Sequence, residues 1–405
     1  MKDFVPALRF VAVSDIHVNE NEPRKLERFK KMAKIVNRIA DNSPDYKKLD
    51  ALYIVGDFAD NGAECQMVAL KEAIDEEFKP ETEVTITLAS HEYSQKNGGE
   101  EAALERFSRI FGMDYDTHKV IGGFHFIAVT TTRGCHFGDE KKEWLAKELK
   151  IAAEDDPKKP IFVFQHPHIT DTVYGSINWG EDELTAILMD YPQVVDFSGH
   201  SHAPINDPRS IHQKYFTSLG TGSLAYFELD EFDKIYGTVP PKCSYCAQML
   251  IVEASADNQV RVYPYDVLTD NYFPFVWEID TPWDPTSFKY TDARYKTTEA
   301  PYFAPETYIC LDDVTENSAV LEFAQAKADK EYVNSYEIIL KETATGLIKK
   351  QFSIWSEYYF YNMPELLSYE IKDLSPQTEY TVEIYATSFW KTKSEKPLVK
   401  KFTTR

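Results

Sequence analysis

The sequence predicts a layered α/β domain followed by a small all-β sandwich. From Leu8 to about Thr130, short apolar runs alternate with stretches of helical period. After about Gly220, tyrosines, prolines and alternating patterns take over, and from about Pro301 every candidate element is a short strand. Strands interleaved with helices imply sheets covered by helices. Short alternating strands separated by turns imply a sandwich.

Taken in order, Leu8–Ser14 (LRFVAVS), Ala51–Val55 (ALYIV) and Val84–Leu88 (VTITL) are β-branched, apolar and bounded by turn residues, as buried strands are. Between the first two, Leu26, Phe29, Met32, Ala33, Val36 and Ile39 share one helical face, and Leu104, Phe107, Ile110 and Phe111 repeat that spacing. Further strands are expected at His118–Val129, Ile161–Phe164 and Val194–Phe197, with Trp144, Leu145 and Leu149 marking a helix before the second of these. The proline- and tryptophan-bearing segment 271–300 reads as a linker packed on the first domain. The expected division is therefore 1–270, 271–300 and 301–405. In the last part, Val320–Phe323, Tyr336–Leu340, Ile348–Ile354 and Tyr380–Ala386 alternate, and the final one turns Tyr380, Val382, Ile384 and Ala386 inward.

Composition narrows the function. A net charge of −22 disfavours nucleic-acid polymers and anionic membrane, since both require a basic face. No run approaches the ~20 apolar residues of a membrane span. The opening MKDFVPALRFVAVSD runs straight into a strand without the parts of an export signal. From the chain as given the expectation is cytoplasmic, with the compartment otherwise unassigned. Five scattered cysteines do not make a disulfide framework, and Cys243-Ser-Tyr-Cys246 stands without a second pair, so free thiols are expected.

Chemistry concentrates where strands end. Asp15-Ile-His17, Gly56-Asp57, His91-Glu92, His166-Pro-His168 and Gly199-His200-Ser-His202 each follow a predicted strand. Carboxyl ends of strands in α/β sheets converge on the edge where ligands bind. Burying several imidazoles and carboxylates together is costly without a cation. Mixed imidazole and carboxylate donors suit Mn, Zn or Fe. With Asp57 bridging, the set suffices for two ions at roughly 3.5–4 Å, a pair that binds a phosphoryl oxygen and activates water.

This ordered series resembles the calcineurin-like metallophosphoesterase superfamily over about residues 8–270. The resemblance implies a four-layer αββα fold with two mixed sheets. It assigns Asp15, His17 and His202 to one ion, Asp57 to the bridge, and His166 and His200 to the second. It gives a bridging hydroxide the attack on phosphorus, and it gives His91 the transition state or leaving group, with Glu92 orienting the His91 ring. One residue departs. Family members carry Gly-Asn before the His, and that Asn ligates the second ion. Here Ala89-Ser90 stand there, so a weakened second site is expected, because a hydroxyl is a shorter and poorer donor than an amide oxygen. Purple acid phosphatases are similar too, but place a sandwich first and a tyrosine ligand after Gly-Asp. Asp60 occupies that place here, so no tyrosinate–iron colour is expected.

The segment Leu374-Ser-Pro-Gln-Thr-Glu-Tyr380 resembles the fibronectin type III signature, in which a leucine and a corner tyrosine brace the turn into the sixth strand. That family's second-strand tryptophan is absent, with Leu321 or Phe323 in its place.

Around the metal edge, Arg133, Tyr174 and Trp179 are the candidate substrate contacts: a guanidinium for phosphate and aromatic rings for a base or sugar. His118, His125 and His212 read as structural. The function reading is metal-dependent hydrolysis of a small phosphate monoester or diester. The contrasting reading is a degenerate scaffold whose sandwich engages a protein or glycan partner.

Overall fold

The computed structural model describes residues 4–230, 239–329 and 331–405. The chain divides into two compact units, Met1–Thr291 and Asp292–Arg405. The first runs β1 (Pro6–Val13), α1 (Pro23–Asn42), β2 (Ala51–Val55), α2 (Glu64–Glu77), β3 (Glu83–Thr87), α3 (Gly99–Phe111), β4 (Thr117–Ile121), β5 (Phe124–Ala128), α4 (Asp139–Asp155) and β6 (Ile161–Phe164). It continues with β7 (His168–Ile169), α5 (Ser176–Trp179), β8 (Gly180–Glu181), α6 (Thr185–Leu188), β9 (Val194–Ser198), β10 (Ile211–Gln213) and β11 (Thr217–Gly220). It closes with β12 (Gln248–Ser255), β13 (Val260–Asp266), β14 (Asn271–Tyr272) and β15 (Trp277–Ile279).

One sheet has the order β14-β13-β12-β1-β2-β3, with β15 also on β13, and the other β10-β11-β9-β6-β5-β4. Both are mixed: β1-β2-β3 and β5-β6-β9-β11 run parallel, while β12, β4 and β10 join antiparallel.

Strand alternation builds the layers. Phe10 of β1 lies against Phe126, Phe162, Phe164 and Phe197 of the second sheet, with ring centroids 4.8–5.9 Å apart, and Tyr53 stacks on Phe164 at 3.9 Å. Their neighbours Val11, Val13, Leu52 and Ile54 face the other way, onto Phe29, Met32 and Val36 of α1, Leu70 of α2 and Phe107 of α3. On the second sheet Ile127, Val163 and Val194 pack against Leu145 and Leu149 of α4 and Leu188 of α6. This is the four-layer αββα arrangement. Strands buried on both faces explain why the sequence shows near-continuous apolar runs.

Two local expectations change, and one helix had no expectation. The stretch 118–129 is a hairpin rather than one strand, because Gly122 and Gly123 take φ of 58° and 81°, the two left-handed positions of a two-residue turn. Helix α2 carries no clean apolar stripe, since Gln66 is buried beside Met67, Leu70 and Ala73. The segment expected as a linker supplies β14 and β15, so its first part extends the sheet at β13.

The second unit holds α7 (Arg294–Thr297), then β16 (Ile309–Asp312), β17 (Ala319–Ala324), β18 (Ser335–Glu342), β19 (Ile348–Trp355), β20 (Leu366–Ile371), β21 (Glu379–Thr387) and β22 (Leu398–Thr403). Sheets β16-β17-β20 and β19-β18-β21-β22 enclose a core of Leu321, Phe323, Tyr336, Ile338, Tyr380, Val382 and Ile384. The Tyr380 hydroxyl accepts from the Ser375 N–H at 2.9 Å, and Leu374 is buried beside the corner. Strand β21 is not the last. In β22 only Leu398 and Phe402 are buried, so its alternation is interrupted and weak in the sequence. Among the described residues no helix is long and apolar enough to cross a membrane.

Candidate metal centre

The segments after β1, β2, β3, β6 and β9 meet at one edge of the sandwich. Three overlapping groups form there: Asp15, His17 and His202; His17, Asp57 and His91; and Asp57, His166 and His200, each with ligand atoms within 4.8 Å of one another. His17 and Asp57 are the shared members. His202 Nε2 lies 3.2 Å from Asp15 Oδ1 and 3.1 Å from His17 Nε2. His166 Nε2 lies 2.9 Å from Asp57 Oδ2, and His200 Nδ1 lies 4.0 Å from the same oxygen.

The backbone is bent to achieve this. Asp15, His17, Asp57, His200 and His202 have φ of 51°, 49°, 48°, 73° and 53°, the left-handed region that side chains rarely adopt. Each such residue costs on the order of 1–3 kcal/mol and persists only where the surroundings enforce it. Two glycines leave the room: a Cβ on Gly56 would lie 2.5 Å from His166 Nδ1, and one on Gly199 would lie 2.5 Å from Ser14 Oγ.

Hydrogen bonds aim the ligand atoms. Asp15 Oδ2 accepts from the Ser14 hydroxyl and the His200 N–H, leaving Oδ1 without a hydrogen bond. Burial alone would raise Asp15, but His202 and His166 outweigh it and hold the carboxyl well below its usual range. Burial would lower His166, yet the Asp57 and Asp15 carboxylates push it up to about 10. Burial takes His200 the other way, to about 4, helped by the His166 charge. Asp15 Oδ1 and His166 Nε2 are buried polar atoms without a hydrogen-bond partner. Such atoms are rare unless a cation or water satisfies them. Anionic oxygens and imidazole nitrogens in this arrangement fit transition-metal ions.

His91 and Glu92 divide their work differently from the expectation. His91 Nδ1 bonds the Asp60 carbonyl at 2.7 Å, and its own N–H donates to Asp57 Oδ1 at 2.9 Å. Glu92 is fully buried and accepts from the N–H groups of Asp57 (3.1 Å), Ala59 (2.8 Å) and Ala89 (2.9 Å). It ties the loops after β2 and β3 together, and the Asp60 carbonyl rather than Glu92 orients the His91 ring. The Asp60 side chain bonds Asn19 Nδ2 at 2.9 Å. Ser90 Oγ stands 3.3 and 3.4 Å from the two Asp57 carboxylate oxygens.

The family model for calcineurin-like phosphoesterases matches residues 8–204. This part of the chain is a calcineurin-like phosphoesterase domain. Among solved structures, the chain is similar to the purple acid phosphatase PPD1 from yellow lupin seeds, with 15% identity over 68% of this chain and 54% of that one and a TM-score of 0.47. The fibronectin type III domain of human collagen XX aligns over 27% of this chain and 93% of its own, with 20% identity and a TM-score of 0.20. No curated protein matches by sequence.

Around the phosphoesterase centre, Trp179 meets His200 edge-to-face with ring centroids 5.2 Å apart and donates through Nε1 to Asp230 Oδ1 at 3.4 Å. Tyr174 packs under the Arg209 guanidinium at 3.9 Å, and its hydroxyl accepts from the Asp230 N–H, so it braces the loop. Arg133 is exposed, donates its backbone N–H to Glu100, and lines a cavity of 570 Å³ with Thr132, His136 and Phe137. His168 spends both nitrogens on Ser198 and Ser201. His118 and His125 bond each other at 2.7 Å.

Two neighbours of the centre went unread in the sequence. Tyr226 lies with its ring 4.3 Å from that of His202, and Cys135 Sγ is 3.3 Å from His200 Nε2. They follow β11 and β5, whose ends point to the same edge. Neither segment has an Asp or His within four residues of its strand end, as the others do. All five cysteines are free.

Beneath the centre, burial pushes Asp196 of β9 up to about 8; Gln165 donates to its Oδ1 at 3.2 Å, and its Oδ2 has no partner. The folded value lies above the ordinary 3.8, so its contribution is fully present below about pH 4 and is lost as pH rises through 8. Asp196→Asn should therefore gain stability over the native chain progressively across that window. The gain should reach about 2 kcal/mol or more at pH 8, since a tenfold change in ionisation constant is worth about 1.4 kcal/mol. Urea midpoints at pH 5, 6.5 and 8 check this; a flat difference across the three contradicts it.

Proposed function

We propose that the first unit hydrolyses a phosphate monoester or diester using two metal ions. Asp15, His17 and His202 would hold one, Asp57 would bridge, and His166 and His200 would hold the other, with Ser90 in the place of the family's Asn. When bound, the ions would grip the phosphoryl oxygens and supply an activated water for in-line attack. Which of Mn, Zn or Fe fills each place depends on availability, because the donor set accepts all three.

The observation that carries this reading is the sharing of His17 and Asp57 among three groups at one edge, where the buried Asp15 Oδ1 and His166 Nε2 make no hydrogen bond but face His202 Nε2 at 3.2 Å and Asp57 Oδ2 at 2.9 Å. Ser90 supports a weaker second place, since its hydroxyl is directed at the Asp57 carboxylate. The ring of His91 lies 4.4 Å from that of His17, and with Nδ1 on the Asp60 carbonyl its Nε2 is left for the reacting group. Protonated there, His91 would pass a proton to the leaving oxygen. Trp179 is the aromatic wall beside His200, and Arg133 is the guanidinium on the adjoining loop.

Metal analysis of the purified chain, with turnover of a nitrophenyl phosphodiester, nucleotides, cyclic nucleotides and glycerophosphodiesters under Mn, Zn and Fe, tests the proposal. Bound metal with turnover supports it; neither favours the scaffold. Within that assay, His91→Ala should lower kcat about 10²–10³-fold on alkyl esters. It should cost much less on nitrophenyl esters, whose leaving group needs no proton. Equal losses on both would remove His91 from the acid role.

A further inference from the structure

Each ligand histidine must turn one nitrogen toward the cations, and the partner of its other nitrogen decides which. Backbone carbonyls do this at three positions. Val55 O holds His166 Nδ1 at 2.7 Å, Tyr226 O holds His202 Nδ1 at 3.1 Å, and Asp60 O holds His91 Nδ1 at 2.7 Å. His200 is reversed: Nδ1 faces Asp57, and Nε2 meets the sulfur of Cys135 at 3.3 Å. The Ser90 hydroxyl, near the same place, reaches the Asp57 carboxylate.

We propose that Cys135 is the positioning residue of the second metal place, holding His200 in the tautomer that presents Nδ1. The proposal rests on the two-ion reading above. Proton order supports it. A carboxylate only accepts, so the Ser90 hydroxyl donates to Asp57. With Nδ1 of a neutral His200 turned to the cation beside Asp57, its proton sits on Nε2, and the Cys135 sulfur 3.3 Å away is placed to accept it. His166 Nε2, fully buried and without a hydrogen-bond partner, is directed at the same point, which marks it independently as a ligand position.

The test compares the native chain with Cys135→Ala and Cys135→Ser. Nitrogen-15 spectra of histidine-labelled, metal-free protein, with the His200 signal assigned through His200→Gln, report its tautomer. The native chain and Cys135→Ser should show Nε2–H, and Cys135→Ala should shift toward a mixture. Zn²⁺ titrations against a chromogenic chelator should then show second-site affinity about 10–100-fold weaker in Cys135→Ala. The first site should be unchanged, with Cys135→Ser within about threefold of native. An unchanged tautomer in Cys135→Ala overturns the proposal. So does an equal loss at both sites that Cys135→Ser fails to relieve. If the native chain binds no Zn²⁺, the two-ion reading falls, while the tautomer comparison still decides the role of Cys135.

Discussion

Asp57→Asn is expected to lower turnover by about 10³-fold or more and to empty the second metal place. Loss of a ligand's outer partner alone costs about 10–100-fold, and Asp57 is a shared member of two of the three ligand groups. Its two oxygens are already committed: Oδ1 takes the His91 N–H at 2.9 Å, and Oδ2 lies 2.9 Å from His166 Nε2. Asparagine keeps the shape and one acceptor oxygen but loses the charge. The Asp57 carboxylate is the chief influence raising His166 against burial, so His166 should become neutral in the variant. The fold should survive, because with His166 neutral no buried charge is left without its partner. Metal analysis and kcat measured on the same preparation check this. Two bound ions with turnover within tenfold of native would remove Asp57 from the bridging position.

Glu92→Ala should destabilise the first unit by about 3 kcal/mol or more, since it strands three buried N–H groups at about 1–3 kcal/mol each. The groups stranded are those of Asp57, Ala59 and Ala89. A few kcal/mol should lower Tm by about 10 °C in a unit of this size. Close packing leaves little room for the loops to adjust, since a Cβ on Gly62 would lie 2.1 Å from the Glu92 carbonyl oxygen. Glu92→Gln keeps one acceptor and should lose less, about 1–3 kcal/mol. An orienting contact to the His91 ring would have predicted the opposite balance, with activity lost and stability kept. Thermal melts alongside kcat separate the two. A Glu92→Ala melt within 2 °C of native would disprove the tie between the loops.

The legible part of the centre was legible for one reason. Its ligands follow strands whose apolar runs are visible in the chain, and parallel strands bring their carboxyl ends to one edge. Asp15, Asp57, His166, His200 and His202 could therefore be placed together before any coordinate was known. The hairpin at Gly122–Gly123 is missed because β4 (THKVI) is short and partly exposed, with no clear alternation to set it apart from the buried β5 (FHFIA). Helix α2 was passed over because a buried glutamine interrupts its stripe. Trp179 and Tyr174 read alike as candidate substrate contacts, yet one residue meets His200 while the other meets Arg209. Loop path, which sequence spacing does not encode, made that difference.

By itself the sequence determined most of the strands and helices, the two kinds of architecture, and which side chains could hold a metal. Those follow from local periodicity and from the cost of burying polar groups, both of which act residue by residue. Only the tertiary structure decided which nitrogen each imidazole offers, that Glu92 serves backbone rather than a ring, and that a cysteine on the loop after β5 stands behind His200. Such choices depend on hydrogen-bond partners tens or hundreds of residues away, and distance along the chain carries no record of them.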